Sequence, residues 1–208
     1  MADFETQLRA AEAHLASVSP HLAGMIARVG PCTLTAEPDL FKVLVRAIVA
    51  QLISTAAART ITGRLEAAVK GRLTPAAVLT PTDNEFKACG ISGAKRKAIR
   101  GLAEHFRATR GFAKRVGGAP DEDVRKLLLP LTGIGPWTVD MVLIFGLGRP
   151  DVLAVGDMGL RAGVRDLFGL PDLPTPKQLA ELTEPWRPYR SVATWYVWRS
   201  RGWVPQSE

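Results

Sequence analysis

Between Leu131 and Met141 the chain reads LTGIGPWTVDM, the stretch best suited to hold an anion. Gly133 and Gly135 can each adopt a positive φ or admit a close neighbour. Pro136 suits the first turn of a helix, where its missing N–H is no loss. Ile134, between the glycines, can point back and anchor the turn. Backbone amides near Gly135 and in the first helical turn then face outward without intrahelical partners. Such a cluster of N–H groups is a ready phosphate site, one that grips a backbone without reading a sequence. The same residues also suit a plain corner between two helices; Leu131, Ile134, Val139 and Val142 around the glycines favour the hairpin.

Asp157 closes the run Ala154-Val155-Gly156-Asp157. Aspartate serves well as an N-cap, and a helix N-terminus favours its ionised form. The basic run Lys95-Arg96-Lys97, continued by Arg100, Arg107, Arg110, Lys114 and Arg115, is either a face for anionic backbone or a solvated helix end. His14, His21 and His105 fall in helical stretches and suit solvated or structural roles.

These groups need rigid supports, and periodicity supplies only helices. Residues 3–15 carry one apolar stripe through Leu8, Ala11 and Leu15. His21 to Val29 is a second helix, stopped by Gly30 and Pro31. The segment from Leu40 to Gln51 has few polar residues and reads as a buried helix capped by Asp39. Ser54 caps the next, Thr55 to Leu65. Short helices are expected at 74–79 and 82–88, longer ones at 94–109, 121–129, 137–145, 157–167, 176–184 and 189–201. Gly159 and Gly163 weaken the helix at 157–167. Val152 to Val155 is the best strand candidate and too short to build a sheet. The expected class is all-α, without solenoid repeats or low-complexity tracts.

Bulk properties agree with this. At 208 residues and 47% apolar, the chain can bury a core as one domain or two packed subdomains. Lys plus Arg number 27 against 20 Asp plus Glu, a formal charge of +7 that suggests an anionic partner without naming one. Cys32 and Cys89 are too few for a disulfide scaffold or a four-thiolate cluster, so a reducing, cytoplasmic setting is expected. The acidic, amphipathic start MADFETQLRAAEAHL lacks the form of a secretion signal. No apolar run reaches the roughly 18–20 residues of a membrane span.

The run LTGIGPWTVDMV followed by VLAVGDMGLR resembles the helix-hairpin-helix base-excision DNA glycosylases, and within them the bacterial 3-methyladenine DNA glycosylase II branch. The likeness spans roughly residues 35–203. It implies a helix-hairpin-helix glycosylase fold of two helical subdomains with the active-site cleft between them. Residues 1–208 would be one glycosylase unit. Residues 36–148 would form the central subdomain, with the hairpin motif at 121–147, and 1–35 with 149–208 the second. The chain would then be a compact form that starts almost directly at the helical core, without the branch's β-rich N-terminal domain.

The resemblance also assigns roles. In the run Gln51-Leu52-Ile53-Ser54, Leu52 takes the position of the side chain pushed into the duplex; the ordinary reading is a core leucine. Backbone at Gly133, Ile134, Gly135 and Trp137 would hold a phosphate, and carbonyls at Leu131 and Ile134 a Na+ or K+ ion; no other cofactor is implied. Asp157 matches the essential aspartate. Trp137 and Trp198 match tryptophans of the base pocket, and Met141 stands where a pocket tyrosine is found, which opens the substrate range. Trp195 and Trp203 read as core, and Trp186 suits either role. Asp140 reads as structural. Lys95, Arg96 and Lys97 would touch DNA backbone.

There is no lysine between Lys126 and Lys177, and Trp137 stands where bifunctional relatives keep a nucleophilic lysine, so no Schiff-base strand cleavage is expected. The expected activity is hydrolysis of the N-glycosidic bond of alkylated purines in double-stranded DNA, by a monomer with no obligate protein partner and no membrane, working at the bacterial nucleoid. Three rivals stand beside it: a non-catalytic damage-binding protein, a glycosylase for deaminated or mismatched bases, and a helical protein–protein module.

Overall fold

The computed structural model describes residues 4–202. Among them, regular structure is entirely helical. Twelve α-helices follow one another: α1 (Phe4–Val18), α2 (Pro20–Val29), α3 (Leu40–Ala50), α4 (Thr55–Ala68), α5 (Asp83–Cys89), α6 (Gly93–Ala108), α7 (Phe112–Gly117), α8 (Asp121–Leu128), α9 (Pro136–Met141), α10 (Met158–Phe168), α11 (Pro176–Leu182) and α12 (Arg190–Ser200). They group into two compact units: Glu37–Leu147, and the described parts of Met1–Ala36 and Gly148–Glu208.

The central unit is built round α3, which packs against α4, α6 and α9. Its sparse polar pattern has that cause: Phe41, Val43, Leu44, Val45, Ala47, Ile48 and Val49 are all buried. Asp39 caps it by accepting from the Lys42 N–H, and Ser54 caps α4 through Ala57 N–H. The other unit is built round α12, which packs against α1, α2 and α10 and buries every residue from Arg190 to Trp198. A helix buried all round carries no amphipathic stripe, so its role as a core element shows only in its apolar content.

Several expectations change here. The helix read as 137–145 is α-helical only to Met141. Val142–Gly146 follows as one π-helical turn, with Leu147 N–H bonding the Val142 carbonyl at 2.9 Å. The segment 74–79 holds only a 3₁₀ turn, Ala77–Leu79. Val152 to Val155 is a loop, closed tightly by a Val155 N–H to Leu153 carbonyl bond of 2.9 Å. Helix α7 was not foreseen. Its sequence FAKRVG is too short for periodicity, and it rests on two buried side chains, Phe112 and Val116, at i and i+4. Trp203 lies outside the described residues.

The glycines that weakened α10 have a packing purpose. A Cβ on Gly163 would stand 2.2 Å from Val197 Cγ1, so α12 approaches α10 more closely than any side chain would permit.

Candidate active site

The candidate residues fall into two groups, one on each unit. On the unit built round α12, Asp157 ends the 149–156 loop and caps α10. Its Oδ1 accepts the Leu160 N–H at 2.6 Å and the Trp198 indole N–H at 2.9 Å. Asp157 is 9% exposed, so the carboxylate is held at the edge of solvent in a fixed orientation. Gly159 packs beside the pair: a Cβ there would crowd Asp157 Oδ1 at 3.2 Å and touch Trp198 Nε1 at an ordinary 3.5 Å. Sequence reasoning saw Asp157 and Trp198 separately and missed this bond. The partners are 41 residues apart, and no local signal marks the bond.

Trp198 makes a contact beyond the base-pocket part that the resemblance gives it. It is 2% exposed, and its indole N–H donates to the carboxylate. Met141 is equally buried at 2%. Of the three pocket candidates only Trp137 keeps partly exposed surface. Trp195 and Trp186 are core side chains, each 1% exposed.

On the central unit, the hairpin runs from α8 through residues 129–135 into α9. Gly133 has φ 78°, and a Cβ on it would lie 2.4 Å from the Ala98 Cβ of α6. It meets both needs of a glycine, special backbone and close approach. Gly135 meets neither. Its φ is −107° with ψ 176°, ordinary extended backbone, and a Cβ there would meet nothing within 4 Å. The fold does not require the second glycine; its bareness leaves open space at the start of α9. Pro136 occupies the first helical turn and no side chain caps it. Ile134 is buried and anchors the turn, as its place between the glycines indicated. Asp140 is structural: it is buried and paired with Arg125 of α8 at 2.7 Å, tying the two hairpin helices together.

Leu52 is not a core leucine. It is fully exposed, at 104% of its reference surface, and sits at φ 59°. A left-handed leucine costs about 1–2 kcal/mol, and complete exposure forgoes the burial that a leucine normally gains. Gln51 beside it reaches back to the hairpin, donating from Nε2 to the Gly133 carbonyl at 2.8 Å and to Thr138 Oγ1 at 2.9 Å.

The basic run divides into partnered and exposed side chains. Lys95 has partners within the chain: its Nζ donates to the carbonyls of Val49 and Gln51, each at 2.8 Å, at the C-terminal end of α3. Burial lowers its pKa from the ordinary lysine value. Arg96 pairs with Asp83 at 3.0 Å. Lys97 alone of the three is exposed.

The hairpin turn suits a monovalent cation in its donor chemistry. Leu131 and Ile134 offer neutral carbonyl oxygens, hard ligands for Na+ or K+. The Leu131 carbonyl accepts the Ile134 N–H at 3.1 Å and retains a second lone pair.

Residues 45–188 match the family described as HhH-GPD superfamily base excision DNA repair protein. The chain is 29% identical over 201 residues to the alkylbase DNA glycosidase-like protein mag2 of Schizosaccharomyces pombe, covering 94% of each chain. It is 30% identical over 204 residues to DNA-3-methyladenine glycosylase 1 of the same yeast, covering 94% of this chain and 88% of the relative. The solved structure of the S. pombe 3-methyladenine DNA glycosylase Mag1 in complex with abasic DNA superposes with a TM-score of 0.85 at 28% identity, over 95% of this chain and 99% of that one. With the glycine hairpin, the exposed leucine and the capped aspartate in one helical fold, the chain belongs to the HhH-GPD superfamily of base excision DNA repair proteins.

Proposed function

We propose that this protein is a monofunctional DNA glycosylase that hydrolyses the N-glycosidic bond of alkylated purines, of the 3-methyladenine and 7-methylguanine type, and leaves an abasic site. The observation that carries the reading is Asp157, whose carboxylate is aimed by donors from two different helices, α10 and α12. A damage-binding protein has no use for so strict an orientation. The relatives named for 3-methyladenine and alkylbase chemistry support the substrate class. The motifs at 48–54, 131–142 and 154–161 support the bacterial 3-methyladenine DNA glycosylase II branch in particular.

The damaged nucleotide is turned out of the duplex at a cost of a few kcal/mol, least where its pair is weakened. Leu52 fills the gap it leaves. Amides at Gly135 and Trp137 grip a phosphate, and a Na+ or K+ ion held by the Leu131 and Ile134 carbonyls would add positive charge beside it. A methylated purine is cationic, so its ring is attracted to the indole face of Trp137. It also departs as a neutral base, with no need of a protonating acid. As the C–N bond breaks, Asp157 stabilises the oxocarbenium charge at the sugar and orients the attacking water. Water adds to the anomeric carbon and gives up its proton to the Asp157 carboxylate, which passes it to solvent, and the strand stays whole because no lysine stands at the hairpin to form a Schiff base. The partner is double-stranded DNA, bound by a monomer at the bacterial nucleoid in the cytoplasm.

Base release from methylated duplex DNA tests this, with Asp157→Asn beside the parent. The parent should free methylpurines and leave sites that break only in hot alkali. The variant should lose at least a hundredfold in rate yet still bind. Binding without release by both proteins would make this a damage-binding protein instead.

A further inference from the structure

Leu52 stands in a backbone conformation that leucine disfavours, exposed on every side, and so its position must be imposed from elsewhere. Two side chains do this. Gln51 joins the wedge turn to the hairpin through the Gly133 carbonyl and the Thr138 hydroxyl. Lys95 of α6 gathers the carbonyls of Val49 and Gln51 onto one ammonium. Those carbonyls belong to the last turn of α3, where helical partners run out and a cation is favoured. Lys95 lies three residues before Ala98, whose Cβ packs against Gly133. Helix α6 therefore touches the wedge turn with one residue and the hairpin with another.

Resting on the glycosylase reading above, we infer that Lys95 and Gln51 are positioning residues that lock Leu52 in its wedge conformation and register it to the phosphate-gripping hairpin. Their work is spent on extruding the nucleotide, not on breaking the bond. Lys95 draws the turn toward α6, and Gln51 fixes the distance from Leu52 to the glycine turn. Without either one the left-handed leucine relaxes toward ordinary backbone, and the wedge is no longer in place when the base leaves.

The test compares two substrates under single-turnover, saturating conditions. One carries a methylated purine paired in duplex DNA; the other carries it in an unpaired bulge, where no extrusion is needed. Lys95→Met should slow release from paired DNA by about tenfold or more and from the bulge by less than threefold. Lys95→Arg, which restores a cation with N–H donors, should recover most of the paired rate. Gln51→Leu, which keeps bulk but loses the donor, should show the same split and stands as the independent variant should Lys95→Met fold poorly. Equal loss on both substrates, or no loss on paired DNA, overturns the inference. If the parent releases no base from either substrate, the glycosylase reading itself has failed.

Discussion

Asp157 Oδ1 receives two N–H donors, and substitutions can separate them. The Leu160 amide comes from the helix that Asp157 caps, and any aspartate at an N-cap would have it. The indole of Trp198 comes from another helix and is peculiar to this site. Trp198→Phe keeps most of the buried ring and deletes that donor. We expect kcat for release of a methylpurine to fall about tenfold, as for a lost hydrogen bond to a charged group, while KM changes little. A large rise in KM with kcat intact would return Trp198 to a substrate-stacking role. Asp157→Ala should also lower stability by about 1 kcal/mol through loss of the cap, measured as a fall in Tm.

At the scale of elements, the two hairpin glycines predict opposite phenotypes. Gly133→Ala forces a Cβ into Ala98 at 2.4 Å and into a left-handed backbone; it should destabilise the protein by about 2–3 kcal/mol. Gly135→Ala meets no neighbour and no strained φ. It should melt like the parent and bind abasic DNA several-fold more weakly, because a methyl group enters the space left for the phosphate. Denaturant melts and a binding titration check both. Equal binding by Gly135→Ala and the parent would leave the second glycine without a function.

The hairpin itself was legible in the sequence, because glycine, proline and a flanked isoleucine specify a turn locally. So were the caps Asp39, Ser54 and Asp157, each three residues from the amide it accepts. What escaped depends on long-range geometry. The Trp198 bond joins residues 41 apart, and the Gln51 bonds span more than 80. Lys95 looked like one cation in a basic run, since nothing local distinguishes an ammonium turned inward from one turned to solvent. Leu52 is different: by type alone it reads as core, the resemblance gives it the wedge position, and the backbone at φ 59° displays it fully exposed.

For the whole molecule, acid sensitivity should centre on Asp151 and Arg190. Burial alone would raise the Asp151 pKa, but two bonds from the Arg190 guanidinium, with Arg187 nearby, hold it below the ordinary carboxylate value. A carboxylate depressed in the folded state contributes stability that is full above its unfolded pKa and is lost as pH falls through the folded one. Stability should therefore decline below about pH 4. Asp151→Asn should flatten that decline and cost about 3 kcal/mol at neutral pH, because Arg190 stays buried without its partner. Urea melts from pH 3 to 7 measure both effects, and an acid limb unchanged in the variant would assign the sensitivity to other carboxylates. The formal charge of +7 carries a separate expectation, that affinity for duplex DNA falls steeply between low and physiological salt.

The split of the chain also bears on how it folds. Helices α1 and α12 belong to one unit yet are separated by a continuous segment of about 110 residues that forms the other. Bringing such distant ends together from an open coil is entropically unfavourable and slow. The central unit is contiguous, so it can collapse on its own short-range contacts. As it does, Glu37 N–H bonds the Phe145 carbonyl at 2.8 Å, and the segment's two ends are held side by side. The long loop has become a short one before α1 and α12 must find each other, so the polypeptide carries its own order of assembly, middle first and ends last.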